Sequence, residues 1–225
     1  MNIVITGANR GIGLALASRY AARPDAVVFA LARDPAAPEL HALAAARAGR
    51  VRPLALDVRD TQAIDALPSA LGVDSIDLLI NNAGVPAPSD FGAISGAELN
   101  AVFAVNTFAP LLITQALRDR LGTGSKVVNI TSVLGSIARA GADYLTYGMS
   151  KAALNMLSKK LALEFESAGV AVLALHPGWV QTRMGGSGAA LDVDTAADGM
   201  VRVIDAFSLA RSGAYLTYDG SELPW

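Results

Sequence analysis

Seven short apolar runs, at residues 3–6, 27–31, 52–56, 76–81, 126–131, 170–175 and 214–217, punctuate the 225-residue chain. They are rich in β-branched residues, and most are continuous rather than alternating. A strand with one wet face alternates; a strand covered on both faces does not. Longer segments with helical spacing of apolar residues lie between them, at 13–22, 61–70, 97–121, 147–168 and 195–210. The Ala/Pro-rich stretch 34–49 reads as a loop followed by a helix. Strand and helix in alternation predict a parallel sheet with helices on both faces. Right-handed crossovers make this a doubly wound, Rossmann-type α/β fold. No linker, repeat or second domain breaks the pattern, so one domain is expected over residues 1–225. The glycine-rich residues 185–190 stand where such a fold would place a substrate loop.

Composition narrows the function classes. Apolar residues make up 52% of the chain and charged residues 17%, which suits a large core and excludes a disordered chain. The net charge is -2 and the 18 Lys and Arg are scattered, so no basic run offers a footprint for nucleic acid or an anionic membrane. The absence of cysteine excludes disulfides and thiolate metal sites. His41 and His176 are far apart and form no metal-ligand pattern, so no metal is expected. No apolar run approaches the ~18 residues that span a bilayer. The first residues lack the charged start and apolar stretch of a signal peptide. A soluble cytoplasmic protein acting on a small molecule is the expectation.

The first strand runs into Thr6-Gly7-Ala8-Asn9-Arg10-Gly11-Ile12-Gly13, which opens a helix. Glycines let backbone approach a pyrophosphate closely, and a helix start offers free N–H groups and the positive end of a dipole. The spacing is G-x-x-x-G-x-G rather than the G-x-G-x-x-G of the standard dinucleotide fingerprint, and alone it also fits a plain strand-to-helix turn. An NAD site usually carries a carboxylate at the end of the second strand. Here that position is Ala32, followed by Arg33, with Arg10 expected nearby. Two guanidinium groups suit a ribose 2′-phosphate, so NADP(H) is preferred over NAD(H). The alternative is that both arginines are solvated, with Asp34 compensating Arg33.

Tyr147-Gly148-Met149-Ser150-Lys151 sets a phenol and an ammonium four residues apart, on one face of a helix. A free tyrosine titrates near pH ~10, and a nearby cation favours its phenolate. Such pairs also occur on ordinary surfaces. Ser132 follows the fifth run at the sheet edge where ligands bind in α/β folds, or serves as a cap there. Asn106 sits in an apolar helix, where its amide needs a partner.

These features in order, namely residues 6–13, Asp57, Asn81-Asn82-Ala83-Gly84, Asn106, Ser132, Tyr147 with Lys151, and Pro177-Gly178-Trp179-Val180-Gln181-Thr182, make the chain resemble the short-chain dehydrogenase/reductase family over its whole length. Within that family, residues 176–182 and 219–225 resemble the C-factor-like and sniffer-like carbonyl reductases. The resemblance implies an enzyme that interconverts a carbonyl and an alcohol with NADP(H). It implies that Tyr147 protonates the carbonyl oxygen. Lys151 would bond the nicotinamide ribose and hold the phenol's pKa down, Ser132 would bond the substrate oxygen, and Asn106 would hold a relay water behind Lys151. Gly7, Asn9, Arg10, Gly11, Ile12 and Gly13 would cradle the phosphates, with Arg33 at the 2′-phosphate. Asp57 and Val58 would meet the adenine, and Asn82, Ala83 and Gly84 the adenosine side. Pro177, Gly178, Val180 and Thr182 would line the nicotinamide side. Homodimers or homotetramers that pack the two long helices are common in the family. The chain departs from most members in its brief segment after Thr182, which leaves no long substrate lid. A signalling or regulatory role that keeps the fold and cofactor site is the second expectation, and a catalytically silent NADP(H) sensor the third.

Overall fold

The computed structural model describes residues 1–87 and 91–225. The first half runs β1 (Asn2–Thr6), α1 (Gly11–Ala21), β2 (Val27–Ala32), α2 (Pro38–Ala46), β3 (Val51–Ala55), α3 (Thr61–Leu71) and β4 (Leu78–Asn81). The second half runs α4 (Gly96–Phe103), α5 (Ala109–Ala116), β5 (Lys126–Ile130), α6 (Leu145–Glu164), β6 (Ala171–His176), α7 (Val193–Ala206) and β7 (Ala214–Thr217). The strands form one parallel sheet in the order β3-β2-β1-β4-β5-β6-β7. The chain winds outward from β1 to β3, returns to the other side of β1, and winds outward again to β7. That reversal opens a crevice at the C-terminal ends of β1 and β4, which is where such sheets bind ligands.

The continuous apolar runs are explained by burial on two faces. Ile3, Ile5, Val28 and Ala30 face one core with Leu16, Tyr20, Met200 and Ile204 of α1 and α7. Their neighbours Val4, Phe29 and Leu31 face a second core with Ile64, Leu67, Ile113 and Leu161 of α3, α5 and α6. Each fully buried leucine or isoleucine contributes about 1.5–3 kcal/mol, so a polar residue placed in these strands needs a strong local reason.

The segment expected as one helix over 97–121 is broken. A π-helical turn, Ala104–Phe108, separates α4 from α5, and a 3-10 turn, Arg118–Arg120, follows. Pro110 has no N–H for the carbonyl four residues back, and the ladder slips so that Ala109 N–H bonds the Ala104 carbonyl. The same segment corrects a second expectation. Gly96–Ala116 is long and apolar enough, by length and composition, to cross a bilayer, because isolated Asn and Thr residues scarcely lower its average. In the fold it packs on α3 and α6, and Asn106 and Thr114 make buried side-chain bonds.

Candidate active site

Thr6 ends β1, and its hydroxyl accepts the N–H groups of Asn82 and Ala83, each at 3.0 Å. Asn82 Nδ2 returns the contact by donating to the carbonyls of Thr6 at 2.9 Å and Gly7 at 3.2 Å. The ends of β1 and β4 are thereby clasped beneath the glycine turn. Ala8 N–H donates to the Leu31 carbonyl at 3.1 Å, which ties the turn to the end of β2. Gly7 and Gly11 hold φ values of +65° and +53°, a region costly for other residues. Gly13 is needed for space: a Cβ there would run into the Gly7 carbonyl oxygen and Asn82 Nδ2. No side chain caps α1 and no acidic residue sits in its first turn, so its leading N–H groups remain open to an anion.

β2 ends at Ala32, and no carboxylate stands there. Arg33 and Arg10 are exposed, and neither has an ion-pair partner among the described residues. Asp34 does not compensate Arg33; its carboxylate accepts the Ala36 N–H at 3.0 Å. Asp57 is held by Arg59, with contacts of 2.6 and 3.0 Å from the guanidinium and 3.0 Å from the backbone N–H. That pairing first, aided by Arg33, takes the Asp57 carboxyl down to about 2.

Tyr144 begins the turn into α6 at φ +56°, the one non-glycine residue at positive φ among the described residues. Such a conformation costs about 1–2 kcal/mol and tends to mark functional sites. It brings Tyr147 into the first turn of α6 and Lys151 one turn later, with Nζ 5.7 Å from the phenol ring's centroid. Gly135 seats the loop after β5 on this helix: a Cβ there would lie 2.7 Å from the carbonyl carbon of Lys151. Ser132 stands at the start of that loop, in extended conformation at the end of β5. Lys151 is buried, and its ammonium donates to the Ile130 carbonyl at 2.8 Å.

The electrostatics differ from expectation. Burial pushes the Tyr147 phenol up to about 12, against a smaller opposing pull from Ser132. Burial also pulls the Lys151 ammonium down to about 8. In the protein by itself Lys151 does not hold the phenol down; its proton-bearing end turns toward Ile130, and desolvation dominates both groups.

Asn106 lies in the π turn and is fully buried. Its Oδ1 accepts the Val85 N–H at 2.9 Å, and its Nδ2 donates to the Val85 carbonyl at 3.0 Å and Ser150 Oγ at 3.1 Å. Ser150 passes the link to the Tyr147 carbonyl at 2.8 Å, and Thr107 Oγ1 bonds the Ser150 carbonyl at 2.9 Å. The π turn thus grips the helix that carries Tyr147. Gly84 is the near neighbour of this group, since a Cβ on it would stand 3.5 Å from Asn106 Oδ1 and 3.8 Å from Lys151 Nζ.

The segment after β6 closes the crevice. Val180 bridges to Leu191, and a Cβ on Gly11 would meet the Thr182 methyl at 3.5 Å, so this segment overhangs the glycine turn. Pro177 and Gly178 make the turn that takes it there, and Gly178 carries φ +86°. Trp179 is braced by its indole N–H on the Gly185 carbonyl at 2.9 Å. His176 is held neutral, its pKa lowered to about 4 by burial first and then Arg139, and its Nδ1 has no partner among the described residues. Val58 packs on the second core beside Asp57. No group of His, Cys, Asp and Glu among the described residues could hold a metal.

The candidate residues therefore converge on one sheet edge, from Gly7 through Ala83 and Gly84 to Lys151, Tyr147 and Ser132. The sequence motifs include Thr6 and Ser150 without assigning either a role, and they leave out Gly135, Asn155 and Tyr215. A polar side chain inside an apolar run was the available signal for Thr6 and Tyr215, because a buried hydroxyl needs a partner.

Comparison with known proteins gives the family and the fold. The model of the short chain dehydrogenase family matches residues 1–190. A C-signal protein of Myxococcus xanthus is 40% identical over 155 residues, covering 67% of this chain and 93% of that protein. The carbonyl reductase Sniffer of D. melanogaster superposes with a TM-score of 0.92 at 32% identity, covering 100% of this chain and 99% of that one. An NADPH-bound carbonyl reductase from chicken fatty liver gives 0.90 at 32% identity, covering 100% and 98%.

Proposed function

Because the chain belongs to the short chain dehydrogenase family, we propose that it interconverts an aldehyde or ketone and its alcohol with NADP(H), Tyr147 being the proton-transfer residue. The observation that supports this most is the gathering of buried Ser132, half-buried Tyr147 and buried Lys151 at the same sheet edge as an uncapped glycine turn. Bound NADP(H) would supply or accept the hydride. The residues present suit it: Gly7, Asn9, Gly11, Ile12 and Gly13 offer backbone to the phosphates, and Arg10 and Arg33 offer charge to a 2′-phosphate. Asp57 and Val58 would take the adenine end once Arg59 is displaced. Asn82, Ala83 and Gly84 would line the ribose side, and Pro177, Gly178, Val180 and Thr182 the nicotinamide side.

Ser132 Oγ would donate to the substrate's carbonyl oxygen and stabilise charge growing there. The Tyr147 phenol, protonated throughout the neutral range, would pass its proton to that oxygen in reduction. The resulting phenolate would recover a proton through Lys151, with Asn106 and a relay water behind it. In alcohol oxidation the same proton returns to the phenolate.

Replacing Tyr147 by Phe removes only the hydroxyl. Carbonyl turnover should fall by about 10²–10⁴-fold while NADPH still binds; unchanged turnover of every accepted carbonyl would sink the mechanism. Arg33→Asp should raise the Michaelis constant for NADPH far more than that for NADH, and equal effects would overturn the coenzyme preference. We also place the protein in the cytoplasm and propose that it assembles as a homodimer or homotetramer.

The C-signal similarity favours a second reading, signalling by the same fold. Full rescue of a deletion phenotype by the Ser132→Ala protein would favour signalling over turnover; loss of rescue would favour turnover.

A further inference from the structure

We propose that Tyr215 is the positioning residue for Ser132, and that residues 221–225 lock the two together. The inference rests on the function proposed above, in which Ser132 contacts the reacting oxygen.

Ser132 leaves the end of β5 in extended conformation, φ −152° and ψ 149°. Its Oγ accepts the Leu134 N–H at 3.2 Å, a weak restraint on a rotatable hydroxyl. Its carbonyl is held much more firmly. That oxygen accepts the Gly135 N–H at 2.9 Å and the Tyr215 hydroxyl at 2.5 Å. Two donors occupy both lone pairs, which fixes the peptide plane that carries the Ser132 side chain.

Tyr215 lies on β7, two strands away from β5, with β6 between them. Its partner on β6 is Ala174, and Tyr215 packs with Ala174, Leu223 and Val133. A small residue at 174 lets the phenol pass over β6 to the Ser132 carbonyl. Burial raises the Tyr215 phenol, so it stays a donor at neutral pH. Asn155 of α6 accepts the Thr131 hydroxyl at 2.6 Å and donates to the Gly135 carbonyl at 3.1 Å, on either side of Ser132. Asn155 thus registers the residues flanking Ser132 against the helix that carries Tyr147 and Lys151, and the Tyr215 hydroxyl fixes Ser132 between them.

The closing segment holds this phenol in place. Leu223 N–H bonds the Tyr215 carbonyl at 2.9 Å, and the Trp225 ring stacks on Tyr215 at 5.1 Å between centroids. Beyond Ser132, Ser136 Oγ donates to the Pro224 carbonyl at 2.6 Å and Ala138 N–H to the Trp225 carbonyl at 3.0 Å. The segment is thus fastened to β7 on one side and to the loop after Ser132 on the other.

Tyr215→Phe keeps the ring and its stack and removes the hydroxyl alone. Carbonyl-reduction kcat should fall about 10-fold with the Michaelis constant for NADPH unchanged. In a Ser132→Ala background the same change should cost nothing further; independent, additive losses would overturn the proposal. A readout that needs no substrate comes from NMR of the protein labelled at tyrosine Cζ, where only five tyrosines report. The Tyr147 resonance should move in Tyr215→Phe toward its position in Ser132→Ala, and in Trp225→Ala by a smaller step. A resonance that stays put in both variants refutes the positioning role whether or not any carbonyl is turned over. A wild-type protein inactive on all carbonyls, yet showing the shift, would count against the proposed function and leave the positioning in place.

Discussion

Lys151 is the residue whose burial is hardest to justify by folding alone. The residue is 3% exposed, and its ammonium has one acceptor among the described residues, the Ile130 carbonyl. The lysine titrates at about 8 in the fold against 10.5 for its ordinary value. Below about 8 both folded and unfolded chains carry the charge, and the desolvation penalty is complete, on the order of 3 kcal/mol. Between about 8 and 10.5 the unfolded chain holds a proton that the fold has released, so stability rises with pH across that window. Above it the penalty is gone. Lys151→Met should therefore melt higher than wild type at pH 7 and lose that advantage by pH 10.5, while carbonyl turnover collapses. Thermal melts of both proteins across this range check it; a variant less stable than wild type at pH 7 would show that the lysine supports the fold. A retained cost of this kind fits a functional group. The phenol–ammonium pair was legible from its spacing, because four residues on a helix bring two side chains together. Its electrostatics were not, because burial is a property of the assembled core.

Among the elements, the sheet was legible to within about two residues at each strand, since a strand buried on both faces writes an unbroken apolar run; edge strand β3, only partly buried, is the exception. The π turn was not. Pro110 was visible, but whether its missing N–H bends, ends or widens a helix depends on what packs nearby. Here Val85 and Ser150 both bond Asn106, and the widened turn presents the amide to both. The loop after β5 was equally hidden, because Gly135 matters for space and not for conformation. A Cβ there would stand 2.7 Å from the Lys151 carbonyl carbon and 2.9 Å from the Ala152 nitrogen, both backbone atoms that cannot swing aside. Gly135→Ala should push the loop off α6, with a stability loss of about 1–3 kcal/mol. Displacing Ser132 from Tyr147 by even ~1 Å should lower kcat about 100-fold. Turnover per folded molecule, measured below the melting transition, separates the two effects; an intact kcat would mean that the loop does not set the Ser132 geometry.

At the scale of the whole molecule, α6 has two jobs. Its inner side presents Tyr147 and Lys151, and its outer side leaves Met149, Met156 and Leu163 at 49%, 61% and 60% exposure. These three are spaced by seven residues, so they form one stripe along the helix. Phe108, 49% exposed, sits in the π turn, which packs on α6, and Leu111, 38% exposed, follows in α5. Scattered apolar residues on a surface need no explanation, but an aligned stripe is a surface on which the proposed homo-oligomer would pair. A second copy of the chain is the partner that the proposed homo-oligomer calls for, with each α6 lying against its equivalent by two-fold symmetry. Pairing would also stiffen the helix that aligns Tyr147 and Lys151. Met156→Glu puts a charge at the centre of the stripe, where its desolvation in a dimer is costly. Light scattering after size-exclusion chromatography should find the wild type as a dimer or tetramer and Met156→Glu as a folded monomer with a lower melting temperature. A wild type that is monomeric at micromolar concentration would remove the stripe from any role in assembly.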